Sequence, residues 1–105
     1  MSADNDNSIG LTANGFSIHL PSGIRTILWN EVQEINAYKK DMMVYDLICL
    51  DIILKSSVIT IQEEFKGWTE FMIEMSRVFP TINLDWYFNI MNPAFETNFT
   101  TLYKR

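Results

Sequence analysis

The chain has 105 residues, of which 48% are hydrophobic and 13% aromatic, and its formal net charge at pH 7 is −5. This length and composition fit one folded domain and exclude an intrinsically disordered chain. The acidic balance disfavours nucleic acid and anionic membranes as partners, and the single cysteine, Cys49, excludes an intramolecular disulfide.

Residues 1–14 are rich in Asn, Asp and Ser, which predicts a flexible tail before a single domain that spans residues 15–105. The first residues lack the basic and apolar segments of a secretory signal. The longest apolar run, Leu47 to Leu54, is interrupted by Asp51 and is too short to cross a bilayer. We therefore expect a cytoplasmic protein.

The first two predicted strands form a hairpin. Phe16, Ile18 and Leu20 alternate with polar residues, as in a half-buried strand. Residues 21–23, Pro-Ser-Gly, are typical of a tight turn. Residues 24–29 are rich in branched and aromatic side chains and supply the second strand.

Residues 30–40 fit two interpretations. Val32, Ile35 and Tyr38 have the spacing of one helix face, whereas a bend followed by a strand at 34–39 also fits. We favour the strand, because the segment lies among other strands.

The clearest strand covers residues 44–54. Its even positions from 48 to 54 form one apolar face, and its odd positions are mixed, so that only one face is fully suited to the core. Cys49 is predicted to be a small buried hydrophobic residue on this strand. A turn at 55–57 leads to a short antiparallel partner at 58–62.

After Glu63 the apolar period changes from two to 3.6. An amphipathic helix is predicted at about 66–79, with one apolar stripe that ends before Pro80. Asn83 is a suitable cap for a shorter helix at about 84–91. The stripe of the first helix consists of Trp68, Phe71, Met72, Met75, Val78 and Phe79.

The segment after the second helix is predicted to restart at Asn92-Pro93, with one helical turn through Glu96. Phe99, Leu102 and Tyr103 indicate that the end of the chain docks on the body. The fold class is therefore α+β, with a bent antiparallel sheet of strands between about 15 and 62, followed by the two helices.

The sequence predicts no catalytic, cofactor or metal site. One histidine, His19, is too few for paired-histidine acid–base chemistry or a multi-histidine zinc site. The four glycines are scattered and form no phosphate-binding loop. The basic pair Lys39-Lys40 is interpreted as a solvated turn and not as a nucleic-acid contact.

The order of the predicted elements resembles small bacterial domains with a pleckstrin-homology-like fold, in which a bent antiparallel sheet is closed at one end by a C-terminal helix. The resemblance covers residues 15–80 and rests on strand order and aromatic placement. The segments that carry it are 24–29 and 31–35, the strand pair 47–54 and 58–62, and the helix 68–79. A basic loop binds lipid in some members, but here Arg25 stands alone beside the first turn, so the resemblance does not imply lipid binding.

The chain also resembles bacterial toxin-immunity proteins in type, since these are small, acidic, single-domain proteins that bind and block a toxin, often a basic nuclease. Between Asp41 and Glu74 there are seven acids and two bases, a balance that would steer a basic protein partner. The sequence therefore predicts a non-catalytic inhibitor, and the alternative is a self-associating module that uses the mixed face of the strand at 44–54. The predicted partner-binding acids are Asp41, Asp46, Asp51, Glu63 and Glu64.

Overall fold

The computed structural model describes residues 7–92 and 98–105, which form two antiparallel sheets and two helices. The fold class predicted from the sequence, α+β, is confirmed, but the strands between about 15 and 62, predicted as one bent sheet, are divided between the two sheets. None of the helices in these ranges is long and apolar enough to cross a membrane. The elements are β1 (Ser8–Leu11), β2 (Gly15–Leu20), β3 (Gly23–Leu28), a 3-10 turn (Trp29–Glu31), β4 (Glu34–Asp41), β5 (Asp46–Ile53), β6 (Val58–Gln62), α1 (Trp68–Val78), α2 (Trp86–Met91) and β7 (Asn98–Lys104).

The three-stranded sheet has the order β1-β2-β3, and the four-stranded sheet has the order β6-β5-β4-β7. All of these neighbouring strands are antiparallel. β5 is therefore an inner strand, whereas β6 and β7 are the edges of the larger sheet. A link between the two sheets is the hydrogen bond from the Arg25 guanidinium on β3 to Ser57 Oγ before β6, at 2.7 Å.

The alternation along β5 explains how the larger sheet meets the core. Ile48, Leu50 and Ile52 are fully buried and face the core, as predicted. The opposite face has a mixed composition, and its residues Leu47 and Cys49 are buried as well. The prediction that Cys49 is a buried hydrophobic residue is confirmed.

An aromatic cluster joins the two sheets to α1. Phe71 of α1 lies 4.9 Å from Phe16 of β2 and 5.5 Å from Trp29, measured between ring centroids. Phe79, at the end of α1, contacts Trp29 and also Tyr103 of β7, the latter at 4.1 Å. The apolar stripe predicted for this helix is thus confirmed, and it packs on residues from both ends of the chain.

The structure corrects the predicted extent of the sheets. The flexible tail predicted for residues 1–14 is wrong for Ser8–Leu11, which pairs with β2, and the first six residues lie outside the described ranges. The helices are not the last elements either, because Asn98–Lys104 returns as β7 and pairs with β4. Docking of the chain end was predicted, but pairing as a strand was not.

The ambiguous segment 30–40 is a strand, as favoured, with the short 3-10 turn before it. The second helix begins at Trp86, two residues later than predicted, because Asn83 Oδ1 caps the preceding turn by accepting the Asp85 amide hydrogen at 2.9 Å. The turn predicted through Glu96 lies outside the described residues.

Candidate protein-binding surface

The five predicted partner-binding acids do not form one patch. Asp41 and Glu64 are exposed, and Asp51 is half-buried. Asp46 and Asp51 point to opposite faces of β5, because their positions differ by an odd number of residues. The remaining acid, Glu63, is half-buried and takes part in contacts within the fold.

Asp46 faces the buried side chain of Lys39. The Lys39 side chain is fully buried, and its Nζ lies 3.8 Å from Oδ2 of Asp46, whose side chain is 7% exposed. Lys39 Nζ also donates to the carbonyl oxygen of Met91, the last residue of α2, at 3.1 Å. A cation at this end of a helix is favoured by the helix dipole. The interpretation of Lys39 as a solvated turn residue is therefore wrong.

Glu63 joins β5 to α2. Its Oε1 accepts the backbone amide hydrogen of Ile48 at 3.0 Å, and its Oε2 accepts the Tyr87 hydroxyl hydrogen at 2.6 Å. Burial and the Glu63 carboxylate raise the pKa of Tyr87 to about 12. The carboxylates of Asp46 and Glu63 thus make contacts that stabilise the fold.

Asp51 lies on the outer face of the four-stranded sheet. Its Oδ1 accepts hydrogen bonds from Thr60 Oγ1 at 2.7 Å and from the Tyr38 hydroxyl at 3.2 Å. Burial, followed by the charge of Asp51, raises the pKa of Tyr38 to about 12. The carboxylate is therefore held in place by two neutral donors on the outer face of the sheet.

The connection between β4 and β5, residues 42–45, exposes four consecutive apolar side chains, and we name it the hairpin tip. Met43 is 89% exposed and has a φ of 78°, an uncommon value for a residue with a side chain. Asp41 Oδ1 holds this turn by accepting the Met43 amide hydrogen at 2.8 Å. Several adjacent exposed apolar residues are typical of a contact surface. The tip consists of Met42, Met43, Val44 and Tyr45.

An apolar groove of about 440 Å³ lies between α1 and the segment that contains α2, and we name it the helix groove. Ile73 is 67% exposed and Leu84 is 77% exposed at its walls, while the Trp86 side chain is buried. Tyr87 connects the groove to Glu63 through the hydrogen bond described above. The lining residues are Met72, Ile73, Ser76, Leu84, Trp86 and Tyr87.

The thiol of Cys49 and the imidazole of His19 lie away from these surfaces. Burial raises the pKa of the Cys49 thiol, which disfavours the reactive thiolate. His19 is half-buried, with its Nε2 3.2 Å from Ser17 Oγ. Within residues 7–92 and 98–105, no group of three or more His, Cys, Asp or Glu side chains is arranged to hold a metal ion.

The buried pair of Lys39 and Asp46 and the apolar hairpin tip were not predicted from the sequence, although each has a local signal. Lys39 and Asp46 have the same parity as the core residues Ala37 and Ile48 of their own strands, which places both on the core face. The run Met42 to Tyr45 is too apolar for an ordinary turn, and this indicates a contact surface.

Comparison of the chain with protein-family models, with curated proteins and with solved structures gave no match.

Proposed function

We propose that this protein is a non-catalytic binding domain that inhibits a basic bacterial toxin, such as a nuclease, by forming a stoichiometric complex with it. The hairpin tip is the observation that carries the proposal. Burial of an aliphatic side chain stabilises a complex by about 1.5–3 kcal/mol, and Met43 and Val44 are more exposed than any other large apolar residue of the described ranges.

The accessible acids of the surface favour a basic partner over a membrane. Asp41 lies at the base of the tip, and Asp51 and Glu64 add negative charge on accessible parts of the surface. With a net charge of −5, the molecule repels anionic lipid and attracts a basic protein at long range. We therefore retain Asp41, Asp51 and Glu64 as partner-binding residues of the proposal.

The pleckstrin-homology-like resemblance is part of the proposal. Two antiparallel sheets of three and four strands, with α1 packed on their core, support it. The strand β7, which follows the helices, is a departure from a fold that ends with its helix. The resemblance supports no activity of its own, since one fold serves many functions.

Affinity capture from the cells that naturally make the protein tests the proposal. The tagged wild-type protein should retain a basic protein in a 1:1 ratio, and the amount retained should fall as salt rises. Met43→Ser with Val44→Ser should abolish retention, because the apolar contact is lost. Asp41→Lys with Glu64→Lys should reduce the association rate and its dependence on salt.

Ile24→Ser is the matched control for the tip, because Ile24 is also an exposed apolar residue but lies on β3. It should retain the partner as the wild type does. The captured protein should arrest growth when it is produced alone in bacteria, and co-production of this chain should restore growth. Failure to retain any stoichiometric basic protein, or equal retention by the tip variant, would contradict the proposal.

A self-associating module is the second candidate, but the predicted surface for it is wrong. The mixed face of the strand at 44–54 is not available, since Leu47 and Cys49 are buried within the fold. The observation that favours self-association is β6, an edge strand without a charged residue, on which Val58 is exposed. Such an edge can pair with a second copy.

Sedimentation velocity distinguishes this candidate from the inhibitor. Self-association through β6 predicts a dimer that Val58→Lys converts into a monomer. A monomeric wild-type protein at the highest soluble concentration would exclude the second candidate.

A further inference from the structure

The helix groove has acidic side chains at its rim. Glu63 is at the rim because it accepts the hydrogen bond of the lining residue Tyr87. The exposed Asp85 lies between the lining residues Leu84 and Trp86 in the chain, and the exposed Glu70 precedes Ile73 by three positions on α1, a spacing that places neighbours on one helix face.

The positive charge of Arg77, near the end of α1, is already engaged within the helix. Arg77, four positions after Ile73, forms an ion pair with Glu74, to which its guanidinium donates two hydrogen bonds. The groove thus combines an apolar floor with a rim whose net charge is negative.

We propose that the helix groove binds an amphipathic α-helix of the partner, with an apolar face in the groove and lysine or arginine residues against the rim. The inference rests on the proposed function in one respect, namely that the partner is a basic protein. It adds a second contact surface of this chain, besides the hairpin tip, and the element of the partner that this surface binds.

The walls of the groove favour a helix over an extended peptide. An extended peptide obtains most of its affinity from backbone hydrogen bonds with the edge of a strand, whereas an amphipathic helix binds through its apolar side chains. All six lining residues belong to α1, to α2 or to the turn before α2, so the groove presents no strand edge.

The lining chemistry supports the same ligand. A volume of about 440 Å³ can accept a few apolar side chains but not a folded domain. Met72, which lines the groove, is flexible and adapts to different partner side chains. Glu63, Glu70 and Asp85 would repel an acidic helix, which leaves a basic one as the fitting ligand.

Titration calorimetry with designed peptides tests the inference without the natural partner. The probe is a peptide of about 15 residues, or four helical turns, with leucines on one face and lysines on the other. One control peptide carries glutamate at every lysine position. A second has the same composition as the probe in a shuffled order that gives no apolar face.

We expect a 1:1 complex with the probe and at least about tenfold weaker binding of both control peptides. Ile73→Ser and Leu84→Ser should each weaken binding of the probe by about tenfold. Ile24→Ser should leave binding unchanged, and it is a close match because Ile24 and Ile73 are equally exposed, at 67%. Glu70→Lys with Asp85→Lys should weaken binding of the lysine probe and strengthen that of the glutamate peptide.

Equal binding of the lysine and glutamate peptides, or no effect of Ile73→Ser and Leu84→Ser, would overturn the inference. Its failure is distinguishable from failure of the proposed function. If the groove variants retain a basic partner as well as the wild type does in the capture experiment, the groove does not contact that partner, although the inhibitor function stands. If the probe binds in the groove but no stoichiometric partner is captured, the inhibitor proposal fails and the groove remains a helix-binding site.

Discussion

Gly67 lies where the chain leaves β6 and enters α1, and it allows β1 to approach the helix. Its φ is 88°, and a Cβ at this position would lie 2.1 Å from the carbonyl oxygen of Ile9. The Ile9 amide donates to the Lys66 carbonyl oxygen at 2.7 Å, so the approach is part of the pairing of β1. A single residue without a side chain thus decides whether the N-terminal strand can join the core.

Gly67→Ala should lower the free energy of unfolding by about 3 kcal/mol, because a backbone clash is added to an unfavourable φ. Gly23→Ala is the control, since Gly23 also has a positive φ, 141°, but no atom within 4 Å of the added Cβ. Urea denaturation should show a clearly smaller loss for Gly23→Ala. Equal losses would mean that the contact with Ile9 does not constrain the fold.

Lys39 is the second residue with an influence beyond its size, since it joins β4 to the end of α2 and faces Asp46. Lys39→Met should lower the free energy of unfolding by about 3 kcal/mol, because the nearly buried Asp46 loses its neighbouring cation. Lys40→Met, at the exposed neighbouring position, should change it by less than about 0.5 kcal/mol. Denaturation of the two variants under the same conditions checks the difference.

At the scale of elements, α2 has only six residues and is held by side chains of the four-stranded sheet and the segment after it. Lys39 binds its end and Glu63 binds Tyr87 in its first turn. A helix this short is not stable alone. These two contacts, together with burial of Trp86 and Ile90, therefore determine where the helix groove lies.

Tyr87→Phe should lower the free energy of unfolding by about 1 kcal/mol at neutral pH, because the hydrogen bond to Glu63 is lost. In the wild type the pKa of Tyr87 is about 12 instead of 10. The unfolded chain therefore loses this proton first, and stability should fall as the pH rises from 10 towards 12. Tyr38 has a similarly raised pKa, so Tyr87→Phe should reduce this fall and Tyr38→Phe with Tyr87→Phe should reduce it further.

Denaturant titrations at several pH values measure this dependence. An alkaline loss of stability that is the same in the wild type and in both variants would show that these two tyrosines do not cause it.

At the scale of the whole molecule, the aromatic cluster holds together parts of the chain that are far apart in sequence. Phe71→Ala should lower the free energy of unfolding by about 3–5 kcal/mol, because it opens a cavity between the two sheets and α1. Ile73→Ala, on the exposed side of the same helix, should cost less than about 1 kcal/mol. Thermal unfolding of both variants, followed by tryptophan fluorescence, measures the contrast.

The candidate site was less predictable from the sequence than the fold. The acidic segment from Asp41 to Glu74 was evident, but acids that are close together in the sequence do not all lie on one surface. Because side chains alternate between the two faces of β5, Asp46 points inward and Asp51 points outward. The helix groove combines residues of α1 with residues of the turn before α2 and of α2 itself, and no local pattern indicates how two helices are placed relative to each other.

The sequence by itself determined the α+β class, the strands β2 to β6, the amphipathic helix α1 and the burial of Cys49, because each depends on a local apolar period or on a turn signal. The tertiary structure decided the pairing of β1 and β7, the burial of Lys39 and the division of the acids between structural and exposed roles. β7 pairs with β4, which lies about sixty residues earlier in the chain. Which distant strands pair depends on the free energy of the complete core, to which a short segment contributes only a part.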